Sequence, residues 1–488
     1  MPSFQRTVLV NAVSQLINYG LPLVTFSVLT RAFDLPLYGM WIEANTVSGL
    51  LVTFGTQGFG DALAAMLAGQ DDQEMLYSAA LLLFLAAAGG LTLAMLAAAP
   101  LINAITIRDA AGTALLRTVA LVVLIMALNW LASQVFRLRL QPGRGAAFDI
   151  ALAVTRLLVV LLAARGDLLS FARIFVASQL ALTVLQITVA YWGMRLRQPT
   201  WDVLKRMSRH AVNLSVVTQA RWFVMYGDRL LLSIFAASTA VAIYSASYQM
   251  ALILLALGWP FVYAVLPLMT AQWSSGDRAT MLATVRRNTR FMSIVLIPAA
   301  VGLAVTGGSL LRVIGTDEFS VGGWLIAMIA GGIALDTVGV NLQYIFQVQG
   351  QTRVLRKLYV RAAILNLVAN LIAIPLFGYH GAAATTLLTF IYLLVALQRA
   401  TGIAAGALFD LSTAARSLAA SLGMGAWALV WAAPSVPRLA IAIGGGALIY
   451  GALALLLRVM TPHELRHITR TLLIRQPSGD APGSAPTA

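Results

Sequence analysis

Stretches of about twenty apolar residues, enough to cross about 30 Å of hydrocarbon as a helix, recur along the whole chain. They fall near residues 8–30, 39–66, 76–98, 115–136, 147–164, 171–193, 211–233, 240–265, 289–311, 322–346, 358–377, 380–398, 416–433 and 438–458. Lipid offers no partner to a backbone N–H or C=O, so such stretches are confined to helices. The expectation is an all-α polytopic membrane protein of about 14 transmembrane helices.

Charge fixes the orientation. Only 10% of the 488 residues are charged, against about a quarter in soluble chains, so no separate soluble domain is expected. An even number of spans puts both termini on one side. With that side cytoplasmic, its segments hold 23 of the 33 Lys and Arg, and the other side holds eight, among them Arg31, Arg108, Arg117 and Arg229. This is the positive-inside pattern, and it orients a multi-pass protein, expected in a bacterial inner membrane, with both termini cytoplasmic. The net charge of +15 therefore reflects topology, and nucleic acid is not an expected partner. The absence of cysteine excludes disulfides, thiolate catalysis and Cys-ligated metals. The first apolar segment is longer than a signal-peptide core and lacks a small-residue cleavage site, so it is expected to remain as the first span.

The longest cytoplasmic link, 194–210, separates the first six spans from the rest. Trp201, Leu204 and Met207 recur there at helical spacing among Arg and Lys, which predicts an amphipathic helix on the membrane surface. The expected division is 1–193 for spans one to six, 194–210 for the linker, 211–400 for spans seven to twelve and 401–460 for two further helices. Residues 461–488 form a cytoplasmic tail, expected to be disordered from Pro477, where Pro, Gly, Ala and Ser prevail. Asn18-Tyr19-Gly20 and Met225-Tyr226-Gly227 occupy comparable places in spans one and seven. That fits two six-helix lobes, an arrangement that puts a substrate site at their interface.

Polar stripes inside the spans point to a shared aqueous cavity. Asn11, Gln15 and Asn18 line one face of the first span, and Glu43, Thr46, Thr53 and Gln57 mark the second. A spanning helix must turn such a face toward other helices or water. Asn366 and Asn370 of the eleventh span read instead as an interhelical hydrogen-bonding pair. Two arginines fall at mid-span, Arg156 and Arg221, each seven residues from an acid on its own helix (Asp149 and Asp228). An arginine at mid-span costs about 2.5–3.5 kcal/mol or more, so it needs a reason. One reason is an internal salt bridge. The other is an anion site, because the guanidinium fork matches phosphate oxygens and stays charged when partly dehydrated. Arg31 and Arg117 either join that site or snorkel to the surface. Glu43, Asp228 and Asp336 are the candidates for coupling to an ion.

Two patterns resemble catalytic motifs without their context. His463-Glu464-Leu465-Arg466-His467 fits the H-E-x-x-H zinc pattern, but Thr461-Pro462-His463-Glu464 is equally a helix capping box, and no third ligand lies nearby. The glycines around Gly58 and Gly445 lie in or at the ends of spans rather than after a strand, which favours close helix packing over phosphate binding. No catalytic constellation, cofactor or metal site is expected.

Gly227-Asp228-Arg229-Leu230-Leu231-Leu232 followed by Ala242-Ile243-Tyr244-Ser245-Ala246-Ser247-Tyr248 resembles the helix 7–8 region of polysaccharide-export and O-antigen flippases of the Wzx type. Ile374-Pro375-Leu376-Phe377-Gly378-Tyr379-His380-Gly381, and Leu29-Thr30-Arg31 through Tyr38-Gly39-Met40-Trp41, resemble the same family. The resemblance covers roughly residues 5–400. It implies the multidrug/oligosaccharidyl-lipid/polysaccharide exporter superfamily, with two six-helix lobes in a V, alternating access and two extra C-terminal helices. By the same resemblance, the cargo is an undecaprenyl-pyrophosphate-linked oligosaccharide, moved from the cytoplasmic to the periplasmic leaflet for surface polysaccharide synthesis. A polysaccharide polymerase and other glycan-assembly proteins are the implied partners. The cargo's pyrophosphate suits Arg156 and Arg221. The alternative within the superfamily, a cation-coupled small-molecule or drug antiporter, needs unpaired carboxylates and fits two buried arginines less well. A membrane enzyme of glycan assembly would need acid/base groups in sizeable loops, and the loops are short.

Overall fold

The computed structural model describes residues 20–67, 72–164, 166–319 and 322–460, with the side chains at 57, 61, 213 and 214 excepted. The stripe residues Asn11, Gln15 and Asn18, the Gln57 side chain, the H-E-x-x-H pattern and the tail lie outside that description. Every regular element among the described residues is helical. Ten of the helices are long and apolar enough to cross a membrane, counting one that is broken once and one that folds back on itself. The protein is an all-α polytopic membrane protein.

The chain runs back and forth. Helices Gly20–Ala32 (α1), Leu35–Gly55 (α2) and Gln57–Leu67 (α3) come first, α2 and α3 being one span broken at Thr56. Gln73–Ile105 (α4), Gly112–Leu138 (α5), Pro142–Ala163 (α6) and Leu168–Ala190 (α7) follow. Trp201–Phe235 (α8), Ser238–Ala251 (α9), Ile253–Ser274 (α10) and Arg278–Ile314 (α11) come next, then Gly323–Val348 (α12) and Thr352–Ala400 (α13). A single turn, Ala405–Leu408 (α14), precedes Leu411–Trp431 (α15) and Val436–Leu456 (α16). At 1.5 Å per residue, the 49 residues of α13 are twice what one crossing needs. They fold back at Gly378, whose φ of 57° suits a residue without a Cβ. A Cβ on Gly381 would lie 2.3 Å from the Ala373 carbonyl, so only glycine lets the two arms meet there.

Aspartates open five of these helices. Asp34, Asp72, Asp167, Asp277 and Asp410 each accept a hydrogen bond from the backbone N–H three residues on. Such a cap satisfies a donor that the helix cannot. Five of the 18 acidic residues are thereby committed to local structure.

The basic links lie at one end of the bundle, here the basic end. Near it, Leu63, Phe84, Leu131 and Phe136 pack with Val203, Met207 and Ala211. Those last three belong to α8, which is one helix from Trp201 to Phe235. The linker is therefore not a separate helix: 194–200 is irregular, and of the predicted apolar face Met207 is buried with Val203 against α3 and α4, Leu204 is partly buried and Trp201 stays exposed. At the opposite end Phe26, Tyr38, Trp41 and Phe171 meet Phe319, from the link between α11 and α12. Between these ends α8–α13 pack around Tyr244, Tyr248, Met292 and Ile329. Helices α15 and α16 lie against α11, where the Tyr450 hydroxyl donates to the Ile294 carbonyl at 2.7 Å.

Candidate functional site

Arg156 sits in the middle of α6. At 100° per residue it shares a face with Gly145, Leu152, Val159 and Val160, which are buried, while Val154, Leu158, Leu161 and Leu162 are exposed on the other side. Arg156 is nevertheless exposed. An exposed polar group on that face is turned away from the apolar side of α6 that lipid would cover. Its Nε donates to Oε1 of Gln179 on α7 at 3.0 Å, and among the described residues no carboxylate pairs with it. Asp149 acts on it from a longer range.

A polar path leads away from Arg156. Asn129, Trp130, Ser133, Gln134 and Arg137 recur at helical spacing on α5, and none of them is buried. Asp149 is faced by Arg137, Arg156 and the Ser133 hydroxyl. Arg137, one residue beyond the apolar stretch 115–136, belongs to the last turn of α5 with its guanidinium 5.7 Å from the Trp130 ring centre. Across the gap, Tyr263 of α10 lies within electrostatic reach of both Arg137 and Arg221. Charged groups of the first seven helices and of the later ones thus share one interior.

The two mid-span arginines differ. Arg221 makes a two-pronged ion pair with Asp336 of α12, at 2.6 Å and 3.4 Å, and lies 5.9 Å from the Trp259 ring. Its charge is already met, so the internal salt bridge is the correct reading and the shared anion site loses this member. Asp336 is correspondingly occupied and offers no open ion site. Asp228 is occupied too. Fully buried, it accepts from Tyr244, from Thr386 at 3.3 Å and from the Arg229 amide at 2.8 Å. Arg229, counted from sequence among the outer-loop charges, is buried within the rings of Tyr226, Tyr244 and Tyr248, the last 4.1 Å away. Three tyrosines close to one Gly-Asp-Arg turn were the available signal. Glu43 remains. It is buried on α2 with no hydrogen bond of normal geometry to either oxygen, and Ser238 and Arg108 are the polar groups facing it. Asn366 and Asn370 bond to each other and to Thr389 and Thr385, as interhelical pairing requires.

Arg31 and Arg117 do not join Arg156. Arg31 donates to the Val313 carbonyl at 2.9 Å, capping the end of α11. Ser27 donates to Ile314 at 2.5 Å, and Arg108 reaches the Ile234 carbonyl at the end of α8. Arg117 is exposed near the start of α5, on the side of Ala114 and Leu121, a snorkelling position. Helices from the two halves of the chain touch at both ends. A Cβ on Gly39 of α2 would lie 2.1 Å from the Ser238 carbonyl at one end, and a Cβ on Gly58 of α3 would lie 2.4 Å from the Ala211 carbonyl at the other.

The sequence and the overall fold are similar to those of known proteins. A model of the polysaccharide biosynthesis protein family fits residues 28–321, more than half of the chain. The chain belongs to that family. A relative in Haloferax volcanii, described as the probable low-salt glycan biosynthesis flippase Agl15, is 25% identical over 210 residues. That match covers 42% of this chain and 44% of the relative, less than half of either. Among solved structures, the lipid II flippase MurJ in an inward closed conformation superposes with a TM-score of 0.72 at 13% identity, over 92% of this chain and 98% of that one. A multidrug resistance MATE transporter of the MOP superfamily gives 0.59 at 14% identity, over 81% and 93%. At these identities the likeness establishes the fold.

Of the two mid-span arginines, the one on α6 has no carboxylate partner among the described residues and the one on α8 is paired. The first can accept an anionic group without first breaking an ion pair, whereas the second cannot. Among the described residues no cluster of His, Asp and Glu is arranged to hold a metal ion.

Proposed function

We propose that the protein is a flippase that turns a polyprenyl-pyrophosphate-linked oligosaccharide from the cytoplasmic to the outer leaflet by alternating access. The observation that carries this reading is Arg156: mid-span, on an inward face, exposed, and steadied by a neutral amide instead of a carboxylate. A mid-span guanidinium left in that state favours a phosphate ligand. The family and the named relative support glycan assembly as the setting. The moving parts are two lobes, 1–193 and 211–400, with 401–460 as an accessory pair. The basic end faces the cytoplasm of a bacterial inner membrane, and a polymerase receives the cargo on the other side.

Of the three carboxylates weighed for ion coupling, Glu43 is the one without an ion pair among the described residues, and coupling is assigned to it. A Glu43→Gln protein that still responds to an imposed cation gradient would remove that assignment. The antiporter alternative also rests on Glu43, since Asp228 and Asp336 are paired; it requires that deleting the gene sensitise cells to cationic drugs.

The central test is translocation of lipid-linked oligosaccharide in proteoliposomes. Arg156→Ala should lower the rate about ten- to a hundredfold with folded protein retained, the scale of losing a charged hydrogen bond. Arg156→Lys should restore little, because a point charge cannot bond Gln179 and a phosphate in one plane. Native rates in Arg156→Ala would defeat the proposal.

A further inference from the structure

Gln186 is fully buried on α7, and among the described residues neither its amide oxygen nor its nitrogen has a hydrogen-bond partner. A primary amide carries two donors and an acceptor. Leaving all of them unmet inside a membrane protein is less favourable than placing an apolar side chain of the same size there. Helix packing alone therefore gives no account of this residue.

Its position relates it to Arg156. Gln179 and Gln186 lie two turns apart on one face of α7, about 10 Å along the axis. Gln179 holds Arg156, and its own Nε2 is also without a partner. Helix α6 runs antiparallel to α7, and Asp149 precedes Arg156 by seven residues, so Asp149 lies at the depth of Gln186. Helix α5 runs parallel to α7. Thr183 donates to Asn129 of α5 at 3.0 Å, and Ser133 follows one turn further on. Three helices thus bring an amide, a carboxylate and a hydroxyl to one depth, two turns from Arg156 toward the basic end. Ser133 faces Asp149 there. Trp130, half-buried on the same side of α5, presents an indole whose Nε1 lies where a Cβ on Gly60 would be 3.0 Å away.

Mixed donors and acceptors beside an indole match sugar hydroxyls and the apolar face of a pyranose; they do not match an anion or a prenyl chain. We infer that Gln186, Asp149 and Ser133, with Trp130, form a carbohydrate subsite for the first sugars of the cargo while Arg156 takes the phosphate. The spacing is comparable to the length of a pyrophosphate with one sugar ring. This inference rests on Arg156 as the anion site.

The test uses the full chain in lipid nanodiscs with two probes, polyprenyl pyrophosphate and the same lipid bearing N-acetylglucosamine. Gln186→Leu should weaken the sugar-bearing probe about tenfold, the scale of one or two lost hydrogen bonds, and leave the bare probe unchanged. The melting temperature of the empty protein should hold or rise, which a purely structural role would not produce. Ser133→Ala, on a different helix, should shift the same probe in the same direction by a smaller factor. Equal affinity of the native chain for both probes would overturn the subsite, as would Gln186→Leu changing neither affinity or both alike. Arg156→Ala separates the two ideas. If it weakens both probes while Gln186→Leu weakens neither, only the subsite fails; if it weakens neither, the anion site fails.

Discussion

Arg221 on α8 and Asp336 on α12, 115 residues apart, form one two-pronged ion pair, with Nη2 to Oδ2 at 2.6 Å and Nε to Oδ1 at 3.4 Å. The carboxylate is nearly inaccessible and the guanidinium less than a quarter exposed. Removing one partner leaves an uncompensated charge, which costs about 3–5 kcal/mol, whereas replacing both by apolar groups is often neutral. Asp336→Leu should therefore lower the unfolding temperature in detergent sharply, and Arg221→Met with Asp336→Leu should recover most of it. A double variant as unstable as the single one would contradict this account.

Gly39 and Gly58 mark close approaches between the two halves, one at each end. Adding a Cβ at either forces the backbones apart, with an overpacking cost of about 1–3 kcal/mol borne only by the state closed at that end. Gly39→Ala should favour opening opposite the basic end, and Gly58→Ala opening at the basic end. The chain has no cysteine, so spin labels can be placed at will. Label pairs at Ala32 and Glu318, and at Leu140 and Gln351, should lengthen selectively in the first and second variant.

Arg31 and Arg108 both come from the first half of the chain, and both cap carbonyls at the ends of second-half helices. Cations at helix C-termini are favourable, by about 0.3–1 kcal/mol where exposed. Replacing both by alanine should shift the population several-fold toward the state open at that end, read from the Ala32–Glu318 label pair. Unfolding temperature should change little, because the interactions are lost only between halves.

Asp410 ties α15 to the bundle by capping its first turn and pairing with Arg290 at 3.7 Å. Burial pushes its carboxyl up, but hydrogen bonds from Thr413 and Ser412 and the charge of Arg286 outweigh it and hold the group below the usual range. A depressed carboxylate stabilises fully above the unfolded value of about 3.9 and loses that contribution as pH falls through the lower folded value. Asp410→Ala should cost about 1–2 kcal/mol at neutral pH. The gap between native and variant unfolding temperatures should narrow on acidification below about pH 4.

Arg156 and Arg221 look alike in sequence: each is an arginine at mid-span with an acid seven residues away. Those local acids are not their close partners. Asp336, far along the chain, takes Arg221, and Gln179 takes Arg156. Arg229 looked like a loop charge because hydropathy sums a window and cannot see three rings from two helices closing over one guanidinium. Arg31 stays open in the sequence between the anion site and snorkelling because charge in sequence carries no record of which carbonyl it will reach.

The sequence alone determined that the chain is a stack of membrane-crossing helices, because unsatisfied backbone cannot face lipid and the apolar windows leave no other solution. It also determined where polar groups must be hidden. Which of those groups neutralise one another, and which stays available to a ligand, was decided only by the tertiary structure. Pairing depends on helices meeting at matching depth and angle, and neither quantity is written in a linear pattern.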